Sequence, residues 1–341
     1  MLFGIGMAVL LVVGFVVGAI GSRMFGGETG QPFVPQPEIH LPPQPIFPKT
    51  LRYSALGLEV GSGDAAHAEP ERTESTGAES SSMEADHADE EAHGEPLGIM
   101  QFAVTNTLMS AWLVSLVMLM FFIGAARKPK VVPSRLQALV EIIFEGVLSF
   151  SVSILGPTMA RRTFPIVATI FFFVLFNAWL AIFLIPIYQA IGYGVGGDHG
   201  FEIKAHLLRP AGTDLNLPLA LALISFVFVE YWGFRTHSFG YLKKFFAFGD
   251  ILRGRPSGII NVFVGLLELI SEMVRIVSFT FRLFGNMTAG EILVVMITFL
   301  VPFVATQFVF GLELLVGLVQ SVIFAGLTLI FLSVAVSHEE H

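Results

Sequence analysis

The 341-residue chain contains no cysteine, which excludes disulfides, thiol nucleophiles and thiolate metal sites. Charge is also scarce: 13% of residues are Asp, Glu, Lys or Arg, against roughly 25% in a soluble domain. No G-x-x-x-x-G-K-[ST] stretch is present, so a P-loop nucleotide site is excluded. Lys and Arg end early, and none follows Arg282. What dominates is apolar: 54% of residues are hydrophobic, and the mean hydropathy is +0.75. Several apolar runs reach about 20 residues, enough for a hydrocarbon core of roughly 30 Å. The runs are continuous rather than alternating, which points to helices and not to a barrel. The expected class is therefore an all-α polytopic membrane protein.

The net charge of −8 is unevenly placed, because 12 of the 27 acidic residues lie between Glu59 and Glu95. Three regions follow. Residues 1–22 hold an apolar run, 2–20, with no basic leader and no clear A-x-A site; it reads as a retained signal anchor or a signal peptide. Residues 23–96 are first Pro-rich (31–48), hence extended and semi-rigid, and then acidic and poor in large apolar side chains, hence disordered (61–96). His67, His87 and His93 lie there at spacings that fix no metal geometry. The tail either has no transport role or concentrates protons by its negative field. Residues 97–341 form the membrane domain.

Within that domain, spans are expected at about 101–124, 164–192 and 215–234, followed by longer apolar regions at 259–300 and 303–336. The segment 133–157 has apolar residues at helical spacing with Glu141 and Glu145 to one side, the pattern of an interfacial amphipathic helix. The fold is thus five core membrane helices plus an interfacial helix, with an extra N-terminal apolar helix. Arg127, Lys128, Lys130, Arg135, Arg161 and Arg162 flank the amphipathic segment, and Arg235, Lys243, Lys244, Arg253 and Arg255 fill the loop 235–258. Both regions should be cytoplasmic by the positive-inside rule. The loop 193–214 has only Lys204 and Arg209, offset by Asp198, Glu202 and Asp214, and should face outward. The C-terminus is then cytoplasmic and residues 23–98 are extracytoplasmic.

Region 259–300 has no proline; Gly265, Gly285 and Gly290 are its weak points. As one helix it would be about 63 Å long, so it breaks or lies steeply tilted. On a wheel at about 100° per residue, Glu268, Asn286, Arg275, Ser278 and Glu272 cluster on the side of Arg282. Glu291 falls opposite. Glu268, Glu272 and Arg275 are spaced to neutralise one another, whereas Arg282 has no charged partner at i±3 or i±4. Its counter-charge is either a carboxylate on another helix, with Glu230 and Glu313 as candidates, or lies outside this chain. A guanidinium does not deprotonate, so Arg282 is a fixed charge and not a proton relay. Pro302 starts a turn into the last helix, where Glu313 and Gln320 share one face. In an antiparallel hairpin their depths match Glu291 and Arg282.

"SFTFRLFGNMTAGEIL" (278–293) resembles the signature of subunit a of the membrane Fo sector of F-type ATP synthases. "LISEMVRIVS" before it, "TDLNLPLALAL" at 213–223, "LVQSVIFAGLTLIFLS" at 318–333 and the terminal "HEEH" extend the resemblance from about Leu97 to the end. It implies a stator beside a rotating ring of c subunits, with the last two helices as a long, steeply tilted hairpin. Arg282 matches the arginine that faces the ring's carboxylates and separates two offset half-channels. Glu291, Asn286 and Gln320 match proton-path residues, Glu268 an acid of the cytoplasmic half-channel, and Asp214 and Asn216 the "DLN" near the outer one. Glu313 stands where some members have histidine, and Arg275 and Glu272 are supporting. The implied partners are the c-ring, the b-subunit peripheral stalk, the F1 sector indirectly and the lipid bilayer, with no nucleic acid, cofactor or metal. The tail 23–96 departs from the family pattern. A bacterial plasma membrane is the expected location. The alternative is an ion-coupled secondary transporter binding an anionic solute at Arg282. It calls for inverted repeats and helices broken at mid-membrane, and neither is visible in the sequence.

Overall fold

The computed structural model describes residues 2–26, 43, 45–47, 103–127, 133–188, 192–197, 200–237 and 257–337. The acidic segment 61–96, its three histidines, most of the loop 235–258 and the terminal "HEEH" lie outside the described residues. Among the described residues seven helices follow in order: α1 Leu2–Val17, α2 Ala19–Gly26, α3 Asn106–Ala126, α4 Arg135–Tyr188, α5 Asn216–His237, α6 Ser257–Leu300 and α7 Val304–Val336. Four of them, α3, α4, α5 and α7, are long and apolar enough to cross a membrane. The chain is an all-α polytopic membrane protein.

The β structure is minor. Strand β1 Pro45–Phe47 pairs antiparallel with β2 Val104–Thr105, and β3 Gly192–Gly197 with β4 Gly200–His206. The described part of the Pro-rich segment is extended, as its composition requires, and the short ladder ties it to the start of α3. The hairpin β3–β4 was not foreseen: Phe201, Ile203 and Ala205 alternate with polar residues, but the run is short and its partner arm is mostly glycine.

Helix α4 is two arms, 135–155 and 157–188, reversed at Gly156, whose φ of 74° and ψ of 167° suit glycine alone. The amphipathic segment therefore folds back onto the span that follows it. The rings of Phe144 and Phe172 stack at 4.8 Å, and Phe122 of α3 meets Phe172 edge-on at 4.8 Å. Val147, Val167, Phe171 and Leu175 of α4, Phe228 and Val229 of α5, and Leu329 and Leu332 of α7 make one buried cluster. Glu141 and Glu145 stay on the exposed side. A second cluster joins Ile170 and Val174 of α4, Leu221 of α5, Phe279 and Leu283 of α6, and Phe324 of α7. Beside it a 2.7 Å hydrogen bond joins the hydroxyls of Ser225 on α5 and Thr328 on α7.

Helix α6 runs unbroken for 44 residues through all three glycines. Its length is about 66 Å at ~1.5 Å per residue, so a bilayer can hold it only at a steep incline. It buries Glu272, Ile276, Phe279, Leu283, Gly290 and Val294, a stripe at spacings of three, four and seven. Helices α6 and α7 form a hairpin through residues 301–303, where Phe303 has a φ of 72°, an uncommon value for a bulky side chain. The register stays constant along the pair. Thr306 Oγ1 donates to Thr298 Oγ1 at 3.3 Å, Val294 packs on Val309, Glu313 rests against Gly290, and the rings of Phe279 and Phe324 lie 4.9 Å apart.

The N-terminal helices pack on this hairpin's turn. Gly14 and Gly18 lie so close to the carbonyls of Pro302 and Leu300 that a Cβ at either would collide with them. Small residues at i and i+4 allow this backbone approach. Between α7 and α4, Gly317 plays the same part, since a Cβ there would fall 2.7 Å from Ala178 Cβ. Replacing Gly317 with leucine is expected to force the two helices apart at a cost of about 1–3 kcal/mol. A lowered thermal unfolding midpoint in detergent, with Gly311→Leu as a tolerated control at an open position, checks this.

Candidate functional site

The sequence places five charged side chains on α6, and the structure sorts them into two classes. Arg275 is neutralised in place: its Nη1 lies 2.6 Å from Glu272 Oε2, and its guanidinium stacks 3.7 Å from the centre of the Phe331 ring on α7. Glu272 is 4% exposed, so this pair is a buried ion pair that must remain intact. Glu268, half-buried, stands one turn earlier. Arg282 is the opposite case. It is exposed and, among the described residues, makes no ion pair or hydrogen bond. Its guanidinium carbon lies 5.9 Å from the centre of the Phe279 ring. Neither Glu230 nor Glu313 pairs with it, which settles the alternative of an internal counter-charge among the described residues. The residues around it, Val274, Val277, Ser278, Phe281, Gly285 and Ala289, are exposed as well.

On the other side of α6 the polar residues converge. A cavity of about 20 Å³ is lined by Asn286, Gly290 and Glu291 of α6, Glu313 and Gly317 of α7, Ala181 of α4 and Pro210. That exceeds the roughly 10–15 Å³ one water needs. The wheel put Glu291 on the opposite face from Arg282, and the hairpin register brings it to Glu313. Gly290 makes this meeting possible, since a Cβ there would collide with the Glu313 carboxylate.

A residue not anticipated as functional completes the cluster. Arg209 is 6% exposed, and its Nη2 and Nε lie 3.1 and 3.4 Å from Glu291 Oε2. Its backbone N–H donates to Ser110 Oγ at 3.0 Å, and that hydroxyl donates to the Asn106 carbonyl at 3.1 Å. Arg209 and Pro210 also line a second cavity of about 10 Å³ with Ser110 and Asn177. In the sequence Arg209 counted only towards loop charge. The signal was its place: a lone arginine before a proline and "DLN", in a loop otherwise balanced by acids.

Asp214 is 8% exposed and fully engaged. Thr107 Oγ1 donates to its Oδ2 at 2.9 Å, and the Asn216 backbone N–H donates to its Oδ1 at 3.0 Å. It fastens the start of α5 to the start of α3, while the side chain of Asn216 is exposed. Gln320 is 4% exposed, and its Nε2 has no hydrogen-bond partner among the described residues. The hairpin register sets it beside Leu283, at the level of Arg282. Asn177 Oδ1, at the second cavity, is likewise buried and unpartnered.

Long apolar helices, ionisable side chains gathered between them and an exposed arginine on α6 define a multi-pass membrane protein built around buried charge. The family model described as ATP synthase A chain matches residues 108–333. The chain therefore belongs to the ATP synthase subunit a family. It is 34% identical to ATP synthase subunit a of Campylobacter concisus over 67% of this chain and 88% of that protein. It is 33% identical to that of Helicobacter pylori strain P12 (65% and 86%) and 32% identical to that of Gloeobacter violaceus (69% and 86%). The match excludes α1, α2 and the tail.

Removing the Thr107 hydroxyl leaves a buried carboxylate oxygen without its donor, a loss of about 1–3 kcal/mol. Thr107→Val should accordingly lower the thermal midpoint of the purified protein and Thr107→Ser should not.

Proposed function

We propose that this chain is the stator subunit of an Fo motor, in which Arg282 faces the proton-carrying carboxylates of a c-subunit ring and separates two offset half-channels. The observation that carries this reading is the exposure of Arg282. It is a permanent cation on a helix face that no described element covers, while Arg275 and Arg209 each hold a carboxylate. An uncovered charge at membrane depth is costly, so its counter-charge comes from a neighbouring subunit. Val274, Val277, Phe281 and Gly285 give that face the apolar, low-relief surface on which a ring can slide.

A ring carboxylate in lipid is neutral, because burying the ion costs several kcal/mol. Beside Arg282 its ionised form is favoured and it gives up its proton. Glu291, Asn286 and Glu313 line the outer path, with Asp214 and Asn216 at its mouth. Gln320 stands at the level of Arg282, and Glu268 serves the cytoplasmic half-channel, with Glu272 and Arg275 in support. The unpartnered Nε2 of Gln320 and Oδ1 of Asn177 are hydrogen-bonding positions that a water chain can use. Arg282 blocks the direct route, so protons cross only by riding the ring. Each elementary charge moved through 100 mV supplies about 2.3 kcal/mol, and rotation sums several such steps into one ATP made elsewhere in the complex; this chain needs no nucleotide site.

The b-subunit stalk and, through it, the F1 sector are the remaining partners. The bacterial sources of the relatives support a plasma-membrane location. The Lys and Arg distribution supports a cytoplasmic C-terminus and an extracytoplasmic segment 23–98. The seating of Gly14 and Gly18 on the hairpin turn supports residues 1–22 as an anchor that stays with the protein.

Arg282→Ala is expected to abolish proton-driven ATP synthesis in membrane vesicles while the complex still assembles, and Arg282→Lys to be severely impaired, since lysine loses the planar fork and can deprotonate. Normal synthesis in Arg282→Ala would end this reading. At Gly285 a Cβ meets nothing within 4 Å in this chain. Gly285→Leu should therefore leave folding intact, as judged by its thermal midpoint, and lower proton-coupled turnover by obstructing the ring.

A further inference from the structure

A cavity of about 270 Å³ lies under the first, amphipathic arm of α4. It shares no lining residue with the two small cavities around Glu291 and Asn177. Val147 of the first arm, Val167 and Phe171 of the second and Leu329 of α7 form its buried walls. Phe150 and Val322, both exposed, form its rim. Every lining side chain is apolar, and Gly146 adds bare backbone, at which a Cβ would meet nothing within 4 Å. At the rim the Phe150 ring lies over Gly326 of α7, where a Cβ would fall 3.3 Å from it. Two arginines stand nearby. Arg161 and Arg162 lie on the second arm, between the reversal at Gly156 and Val167. Both are exposed, and among the described residues neither makes a hydrogen bond or ion pair. Arg162 precedes Val167 by about 8 Å along the helix.

We infer that this cavity holds one acyl chain of an anionic phospholipid whose phosphate sits at Arg161 and Arg162. The walls decide the chemistry of the guest. Water needs polar partners to occupy a cavity, and none is here, while roughly 150 Å³ of apolar space already accepts a guest the size of benzene. A helix of another subunit is about 10–12 Å across with its side chains and cannot enter a space of this size; a single flexible chain can. The arginines decide the head. A guanidinium matches phosphate oxygens in a bidentate fork, and these two are uncommitted. The acids on the first arm stand on its exposed side, with Glu141 taking a 2.7 Å hydrogen bond from Gln137 Nε2. In the orientation proposed above, Arg161 and Arg162 lie at the cytoplasmic surface and the cavity lies deeper. Headgroup and chain therefore fall in the order a lipid of that leaflet presents, and that leaflet is the one rich in anionic lipid. The lipid fills the gap between the amphipathic arm, the span and α7, and fixes the arm against them. The inference does not depend on the stator reading; it needs only the chain in a bilayer.

The test uses the assembled complex in phosphatidylcholine nanodiscs containing a little phosphatidylglycerol with a photoactivatable group near the end of one acyl chain. After irradiation, the labelled peptides are identified by mass spectrometry. Wild type should carry label in 143–150, 167–171 or 322–329. Gly146→Phe fills the cavity and should cut that labelling by about tenfold or more. Its thermal midpoint should not fall, because a Cβ at 146 is unobstructed. Gly124→Phe, at an equally open position on α3, should leave the labelling unchanged. R161Q/R162Q should cut labelling by the phosphatidylglycerol probe by about tenfold, and barely change labelling by a phosphatidylcholine probe with the same chains. Absence of label from these segments in wild type, or undiminished label in Gly146→Phe, overturns the inference. Undiminished phosphatidylglycerol labelling in R161Q/R162Q overturns the assignment of the headgroup. The chain has no cysteine, so Gly146→Cys places one thiol-linked photocrosslinker at the cavity. Its capture of another subunit in place of lipid would show a protein occupant and also overturn the inference.

Discussion

The cost of holding charge at membrane depth is the constraint on which the rest of this structure depends. Each ionisable side chain on the α6–α7 hairpin needs a partner, a cavity or a neighbour from another subunit. Glu272 has Arg275, which also lies on the Phe331 ring. Glu291 has Arg209, brought in from the loop before α5. Glu313 has a small cavity and the bare backbone of Gly290. Arg282 has none of these within the described residues. Among the described residues of the hairpin, Arg282 is thus the cation left facing outward, which is where the proposed ring would meet it.

The packing serves that arrangement. Helix α6 is unbroken over 44 residues, so Arg282 and Glu291 keep a fixed axial offset and opposite azimuths. The constant register with α7 then sets Glu313 against Gly290 and Gln320 at the level of Arg282. Behind the hairpin, the clusters from α4 and α5 bury one side of α6 and leave the other bare. Helices α1 and α2 lie outside the matched family region, and they seat on the hairpin's turn at Phe303, where the backbone adopts its one positive φ at a non-glycine residue among those described.

Much of this was legible in the sequence because it follows from period and composition. Three spans and the two long regions of the hairpin came from apolar run length, although the arm expected to begin at 164 begins at 157. The 3.6-residue period put Glu272 and Asn286 on the face of Arg282, but Glu272 is buried and Asn286 lines the cavity with Glu291; the Glu272–Arg275 pair did follow from i,i+3 spacing. The matched depths of Glu313 with Glu291 and of Gln320 with Arg282 needed only a turn at Pro302. The choice between a broken and an inclined helix did not follow from the sequence. Three isolated glycines weaken a helix without ending it, and flanking contacts decide. The return of the amphipathic segment onto its neighbouring span at Gly156 was also hidden, since a single glycine carries no sign of the angle it adopts.

What the sequence by itself determined is the class of protein, the membrane domain and the face on which Arg282 stands, because these rest on local periodicity and on solvent preference summed over many residues. What only the tertiary structure decided is which charges are paired. Arg209 lies 82 residues from Glu291, and Thr107 lies 107 from Asp214. Electrostatic energy falls with distance in space and takes no account of separation along the chain. Whether a lone arginine is a loop charge, a buried counter-ion or an uncovered cation is therefore settled only when the helices are brought together.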